Sequence, residues 1–115
     1  MNRFEDLEIW KRSVALSVRV YKQFNALKDF GFKDQITRSS LSIPSNIAEG
    51  FERDSNKEFI RFLYIAKSSC GELRTQLKIA IEINYLDEVE GLKLIKEAEE
   101  ISYMLNSFIQ KRREF

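Results

Sequence analysis

Apolar residues recur along this chain at the three- and four-residue steps of an α-helix, in four successive segments. The first segment runs from about Glu5 to Leu27. Leu7, Trp10, Val14, Ser17, Tyr21 and Phe24 share one face, with Ile9, Leu16, Val20 and Leu27 as a second row beside it. Lys28-Asp29-Phe30-Gly31-Phe32 reads as a break. Gly31 supplies a left-handed turn there, and the phenylalanines cover the end of the bundle. The second segment, about Lys33 to Phe51, places Ile36, Ser40, Ile43, Ile47 and Phe51 on one face. Pro44 lies inside this pattern, where it removes a backbone donor and crowds the preceding turn. The expectation is a helix kinked near 41–44, or two short helices meeting there. The hydroxyls of Ser39, Ser40 and Ser42 would then bond freed carbonyls or cap the restart.

Ser55-Asn56-Lys57-Glu58 has the form of a capping box and predicts Ser55 as the N-cap of a third helix reaching about Asn84. Its core stripe is Phe59, Phe62, Leu63, Ala66, Cys70, Leu73, Leu77 and Ala80. Ile65, Ser69, Glu72, Gln76, Ile79 and Ile83 form a second row. Gly71 inside this helix costs about 1 kcal/mol relative to alanine unless close packing uses it. Asp87 caps a fourth helix with Glu88 and Glu90 in its first turn and Lys111, Arg112 and Arg113 at its end, which suits the helix dipole. Four helices with short breaks predict an all-α fold. The simplest arrangement is an antiparallel, up-down four-helix bundle filling residues 1–115 as one domain.

Composition narrows the chemistry. The chain has 115 residues, 43% hydrophobic and 32% charged, which is enough for one core and a well-hydrated surface. It contains no histidine, so His-based acid–base chemistry, His-ligated metals and Ser-His-Asp triads are excluded together. The single cysteine, Cys70, lies on a core stripe and fits a buried thiol in a reducing compartment. Neither a phosphate-cradling glycine loop nor a Glu-x-x-His motif occurs. No cofactor or metal is expected. Two acids, Glu49 and Glu72, with Arg38 do not define a reaction, so the expected function is non-enzymatic. The charged N-terminus and the absence of a run of roughly 20 apolar residues argue against export and membrane insertion, and the expected location is the cytoplasm.

Lys+Arg is 19 against 18 Asp+Glu, so the net charge is +1 and no strongly basic arm exists. Contact with RNA or DNA would need cations gathered on one face by folding or assembly. The candidates are Arg12, Lys33, Arg38, Lys111, Arg112 and Arg113; the plainer reading makes them a solvated surface with a dipole-complementing helix end. In Arg38–Arg53, Glu49 pairs with Arg53 and Gly50 supplies a C-terminal turn on the plain reading. On the sharper one, Asn46 and Glu49 form a polar cluster that sets how chains meet. The extra apolar rows, Ile9, Leu16 and Val20 on the first helix and Ile65, Ile79 and Ile83 on the third, exceed what one inner seam requires. Left exposed, they would form an interface between copies of the chain.

The chain also resembles the 23S ribosomal RNA intervening-sequence proteins. The shared features are Leu7-x-x-Trp10, then Gln35-Ile36-x-Arg38-Ser39-Ser40-x-Ser42-Ile43-Pro44-Ser45-Asn46-Ile47-Ala48-Glu49-Gly50. A third run follows, Glu58-Phe59-x-x-Phe62-Leu63-x-Ile65-Ala66-x-Ser68-Ser69-x-Gly71-Glu72-Leu73. Ser68 stands where many relatives carry glycine. The resemblance implies an antiparallel four-helix bundle assembling as a ring-like homopentamer, with Asn46, Glu49, Gly50 and Glu72 in the motif. Related accessory proteins of diversity-generating retroelements form similar rings and bind nucleic acid. The expected function is a homo-oligomeric scaffold with RNA or DNA as a candidate ligand, and the alternative is a protein-interaction module without nucleic-acid affinity.

Overall fold

The computed structural model describes residues 3–115. A short 3-10 turn, Phe4–Asp6, precedes four helices: α1 (Glu8–Gln23), α2 (Phe30–Phe51), α3 (Asn56–Glu82) and α4 (Glu88–Arg112). Among the described residues there is no strand. The helices form a rod of about 45 × 21 × 20 Å in which α1 packs on α2 and α4, and α3 on α2 and α4.

Contacts along each seam fix the relative directions. Ser39 reaches Gln76 and Ser42 reaches Ser69, so numbers rise along α2 as they fall along α3. The same opposition joins α3 to α4 through Asn56–Arg112, Lys67–Asn106 and Arg74–Glu99. It joins α1 to α4 through Arg12–Glu97 and Arg19–Glu90. All four helices contribute to one continuous core that includes Leu16, Val20, Ile43, Ile47, Leu63, Leu73, Leu77, Leu94, Ile101 and Leu105, each at most 1% exposed.

The helix starts follow the local chemistry of the sequence. Ser55 Oγ accepts the Glu58 N–H at 3.1 Å, and Asp87 Oδ2 accepts the Glu90 N–H at 3.2 Å. Asp29 caps α2, its Oδ1 accepting the Phe32 N–H at 3.1 Å, so α2 begins three residues earlier than the periodicity suggests. Gly31 therefore lies in the first helical turn and not in a left-handed break. The residue with positive φ is Asn84, at 64°, just after α3. At this end Phe32 packs against Phe24 and Tyr85, whereas Phe30 stays 71% exposed. The first segment is also subdivided. Leu7 takes an extended conformation between the 3-10 turn and α1, and α1 closes at Phe24 instead of continuing to Leu27.

Of the two alternatives expected at Pro44, two short helices do not form, and one helix runs from Phe30 through Phe51 with the proline inside it. The serines around it serve other partners. Ser39 Oγ donates to the Ile36 carbonyl and to Gln76 Oε1, Ser40 Oγ donates to the Thr37 carbonyl, and Ser42 meets Ser69. Pro44 itself is buried; its ring has no N–H to satisfy, and the Ser40 carbonyl one turn back gives up that helical donor.

Candidate assembly face

The α2–α3 seam is built from small polar residues, which let the two helices approach while their hydroxyls remain bonded. Ser42 and Ser69 Oγ atoms are 2.9 Å apart, and Ser39 Oγ donates to Gln76 Oε1 at 2.5 Å. Asn46 Nδ2 donates to both the Ser42 carbonyl and Ser42 Oγ at 2.8 Å, extending the chain Asn46–Ser42–Ser69 to the protein surface. Asn46 is half-buried and Glu49, one turn from Ser45, is exposed.

Outside this seam α3 presents its second row to solvent. Ile65 is 36% exposed, Ile79 44% and Ile83 46%, with the exposed Glu72 between them. Gln76 and Ser69 belong to the same row and face α2, so this apolar strip flanks the α2–α3 seam. A second apolar strip lies at the α1–α2 seam. Val18, Tyr21 and Leu41 are 45%, 44% and 47% exposed, and their chain neighbours Ser17 and Ser40 touch across that seam at 3.1 Å. Helix α2 thus separates two unlike apolar strips.

The expectation for α1 is corrected here. Ile9, Leu16 and Val20 are 5%, 1% and 0% exposed and belong to the core, so they cannot line an outer face. The row taken as the inner one carries Tyr21 outward instead. Two adjacent apolar rows on one helix differ by only a fraction of a turn. Which of them faces inward depends on where α2 and α4 sit, and Val18, Tyr21 and Leu41 carry no local signal of exposure.

Where α2 meets α3, the motif closes around Phe62. Arg53 and Arg61 stack on its ring, 4.8 and 4.6 Å from the centroid. Arg53 pairs with Glu49 at 3.2 Å, as the spacing predicts, and Arg61 pairs with Glu58 at 3.1 Å. The hydrogen bonds from Arg61 hold the Glu58 carboxyl below its ordinary range, and Glu58 raises Arg61 in turn. Gly50 is helical and does not form a terminal turn. A Cβ built on it would lie 2.6 Å from Phe62 Cβ and 3.3 Å from the Phe59 carbonyl oxygen. The glycine is required by the approach of α3, and its expected role is revised accordingly.

The six cations proposed for nucleic acid are not brought to one face. Arg12 lies between α1 and α4, bonded to Glu97 Oε1 at 2.6 Å and to Glu100 Oε1 at 2.8 Å; these bonds raise the Arg12 pKa and lower that of Glu100. Lys33 donates to the Asn25 carbonyl at 2.7 Å, and Arg38 pairs with Asp34 at 3.1 Å. Arg112 donates to Asn56 Oδ1 at 2.8 Å and stacks on Phe59 and Phe115, while Arg113 bonds the Tyr64 hydroxyl. Lys111 alone among the six makes no side-chain bond within the described residues and sits beside Leu7, Met104 and Phe108. The sequence could foresee the Arg38–Asp34 spacing, but not Arg12–Glu97, whose partners are 85 residues apart.

Cys70 is fully buried, and burial pushes its thiol up to about 12, away from the thiolate that reacts or ligates. Among the described residues, no three Cys, Asp or Glu side chains are grouped to hold a metal ion. Among the described residues, no helix is long and apolar enough to cross a membrane.

Comparison with known proteins agrees with this architecture. A crystal structure of a protein with unknown function from the S23 ribosomal protein family of Bacteroides thetaiotaomicron VPI-5482 superposes with a TM-score of 0.82. It shares 30% sequence identity, over 88% of this chain and 97% of that one. No curated protein matches. The family model of the 23S rRNA-intervening sequence protein matches residues 5–107, nearly the whole bundle, and the chain belongs to that family.

Proposed function

We propose that this chain is a non-enzymatic scaffold that assembles with copies of itself, in a ring of five as the family resemblance implies. The observation that carries the reading is the exposed strip Ile65, Ile79 and Ile83 beside the α2–α3 seam. The second strip, Val18, Tyr21 and Leu41, lies on the opposite flank of α2. Two unlike sticky faces on one subunit suit a head-to-tail contact, which closes into a ring when the rotation per subunit permits. Asn46, Glu49 and Glu72 supply polar groups at the margin of the first strip, where they select register and partner. The assembly works in the cytoplasm.

A nucleic-acid role through the six candidate cations receives less support, because five of them already hold internal partners. The reading therefore stands as a protein scaffold without a requirement for RNA or DNA. Light scattering at micromolar protein concentration tests it. The wild type should be oligomeric, and Ile79→Glu with Ile65→Glu should shift the mass toward the 13.6 kDa monomer while the helical circular dichroism persists. A monomeric wild type overturns the proposal.

A further inference from the structure

Between α3 and α4 lies a cleft of about 200 Å³ lined by Lys67, Arg74, Glu99, Ser102, Tyr103 and Asn106. Its wall is rich in donors. Lys67 and Arg74 stand two helical turns apart on one side, and Ser102 and Asn106 stand one turn apart on the other. Among the described residues, Lys67 Nζ donates only to Asn106 Oδ1, at 3.2 Å, and has no carboxylate partner. Arg74 reaches Glu99 at 3.6 Å in a long, solvent-exposed pair, which holds the guanidinium weakly. The Arg74 Nε–H of the same guanidinium is buried and has no acceptor among the described residues. Buried N–H groups in native proteins nearly always have one, so this donor is unusual. Two cations against one carboxylate leave the cleft with a single positive charge.

We infer that this cleft binds an oxyanion, the phosphate group of a phosphorylated molecule, with the exposed end of the Arg74 guanidinium, Lys67 Nζ and the Ser102 hydroxyl as its donors. A guanidinium offers a planar fork that matches phosphate oxygens, and an ammonium adds a second charge. The cavity exceeds one phosphate, and Tyr103, 77% exposed, provides an aromatic wall for the part of the molecule that carries it. The phosphate can come from a free small phosphoester or from the phosphodiester backbone of a single strand of nucleic acid. The site is separate from the six cations considered above.

Arg74 Nε–H gives a direct reporter in proton–nitrogen correlation spectra. The full chain is titrated in parallel with inorganic phosphate, a mononucleotide and a single-stranded oligonucleotide, with sodium chloride holding ionic strength constant. The expected result is a saturable shift of the Arg74 Nε–H signal and of the Ser102 and Asn106 amides. Lys67→Met and Arg74→Lys should each weaken binding by roughly tenfold or more, whereas Lys96→Ala leaves it unchanged. Saturation by phosphate or the mononucleotide identifies a free phosphoester; saturation by the oligonucleotide alone identifies a nucleic-acid backbone. Absence of a saturable Nε–H shift with all three probes at millimolar concentration overturns the inference. So does undiminished binding in folded Lys67→Met or Arg74→Lys protein. Should a variant fail to fold, the wild-type reporter decides by itself.

Discussion

Replacing Gly50 by alanine adds one methyl group where α2 approaches the backbone and Cβ atoms of α3 closely. That methyl would sit 2.6 Å from Phe62 Cβ, 3.1 Å from Phe59 Cδ1 and 3.3 Å from the Phe59 carbonyl oxygen. A Cβ atom and a backbone carbonyl cannot swing aside as the end of a side chain can, so α2 and α3 must separate. Overpacking of this kind costs about 1–3 kcal/mol, and the better helix propensity of alanine returns about 0.5–1 kcal/mol, leaving a net loss of about 1–2 kcal/mol. Gly71 provides the internal reference. It lies within α3, and a Cβ there meets nothing within 4 Å, so Gly71→Ala should gain up to about 1 kcal/mol. For 115 residues at about 2.1 cal/mol/K each, the unfolding entropy is about 0.24 kcal/mol/K. The two variants should then differ in Tm by roughly 4–12 °C. Thermal unfolding followed by circular dichroism at equal protomer concentration measures this, since association itself stabilises. Equal melting temperatures, or Gly50→Ala above the wild type, refute the argument that close approach dictates this glycine.

Asn46→Ala removes two hydrogen bonds to Ser42 and should cost about 1–2 kcal/mol in urea unfolding, whereas Lys96→Ala should stay within about 0.5 kcal/mol; equal losses count against a role for the seam. Cys70 should resist thiol reagents at pH 8 in the folded protein and react fully in denaturant, because burial raises its pKa to about 12; rapid labelling of the folded chain contradicts this. The Asp29 carboxyl is lowered by the Tyr85 hydroxyl, at 2.7 Å, and then by the Phe32 N–H, so its contribution to stability is full above the unfolded value near 3.8 and is lost as pH falls through the lower folded value. The protection factor of the Phe32 amide, taken relative to the intrinsic exchange rate at each pH, should therefore fall in acid, and Asp29→Asn should flatten that pH dependence; an unchanged profile removes the linkage.

Much of the architecture is legible in the order of residues because it depends on neighbours in sequence. Ser55 with Glu58, and Asp87 with Glu90, declare two helix starts through a side-chain oxygen that reaches an N–H three residues on. The Glu49–Arg53 pair follows from one helical turn of spacing, and the four apolar periodicities fix the class as all-α. The candidate face is legible only on α3, where Ile65, Ile79 and Ile83 do remain exposed. On α1 the periodicity identifies two apolar rows, and only the docking of α2 and α4 sends Ile9, Leu16 and Val20 inward and Tyr21 outward.

The same division holds for glycine, proline and charge. Composition allows Gly50 to be a turn, yet the nearness of Phe62 makes it a contact point. Pro44 lacks a donor wherever it stands, but burial within a single continuous α2 is settled by packing. A net charge of +1 says nothing about pairing; folding alone commits Arg12 to Glu97 and Glu100 while leaving the Arg74 Nε–H buried and unpartnered. Local rules act over one turn of helix and are written in adjacent residues. Contacts between residues on different helices arise only when the helices come together, and that docking also decides which face a helix turns outward.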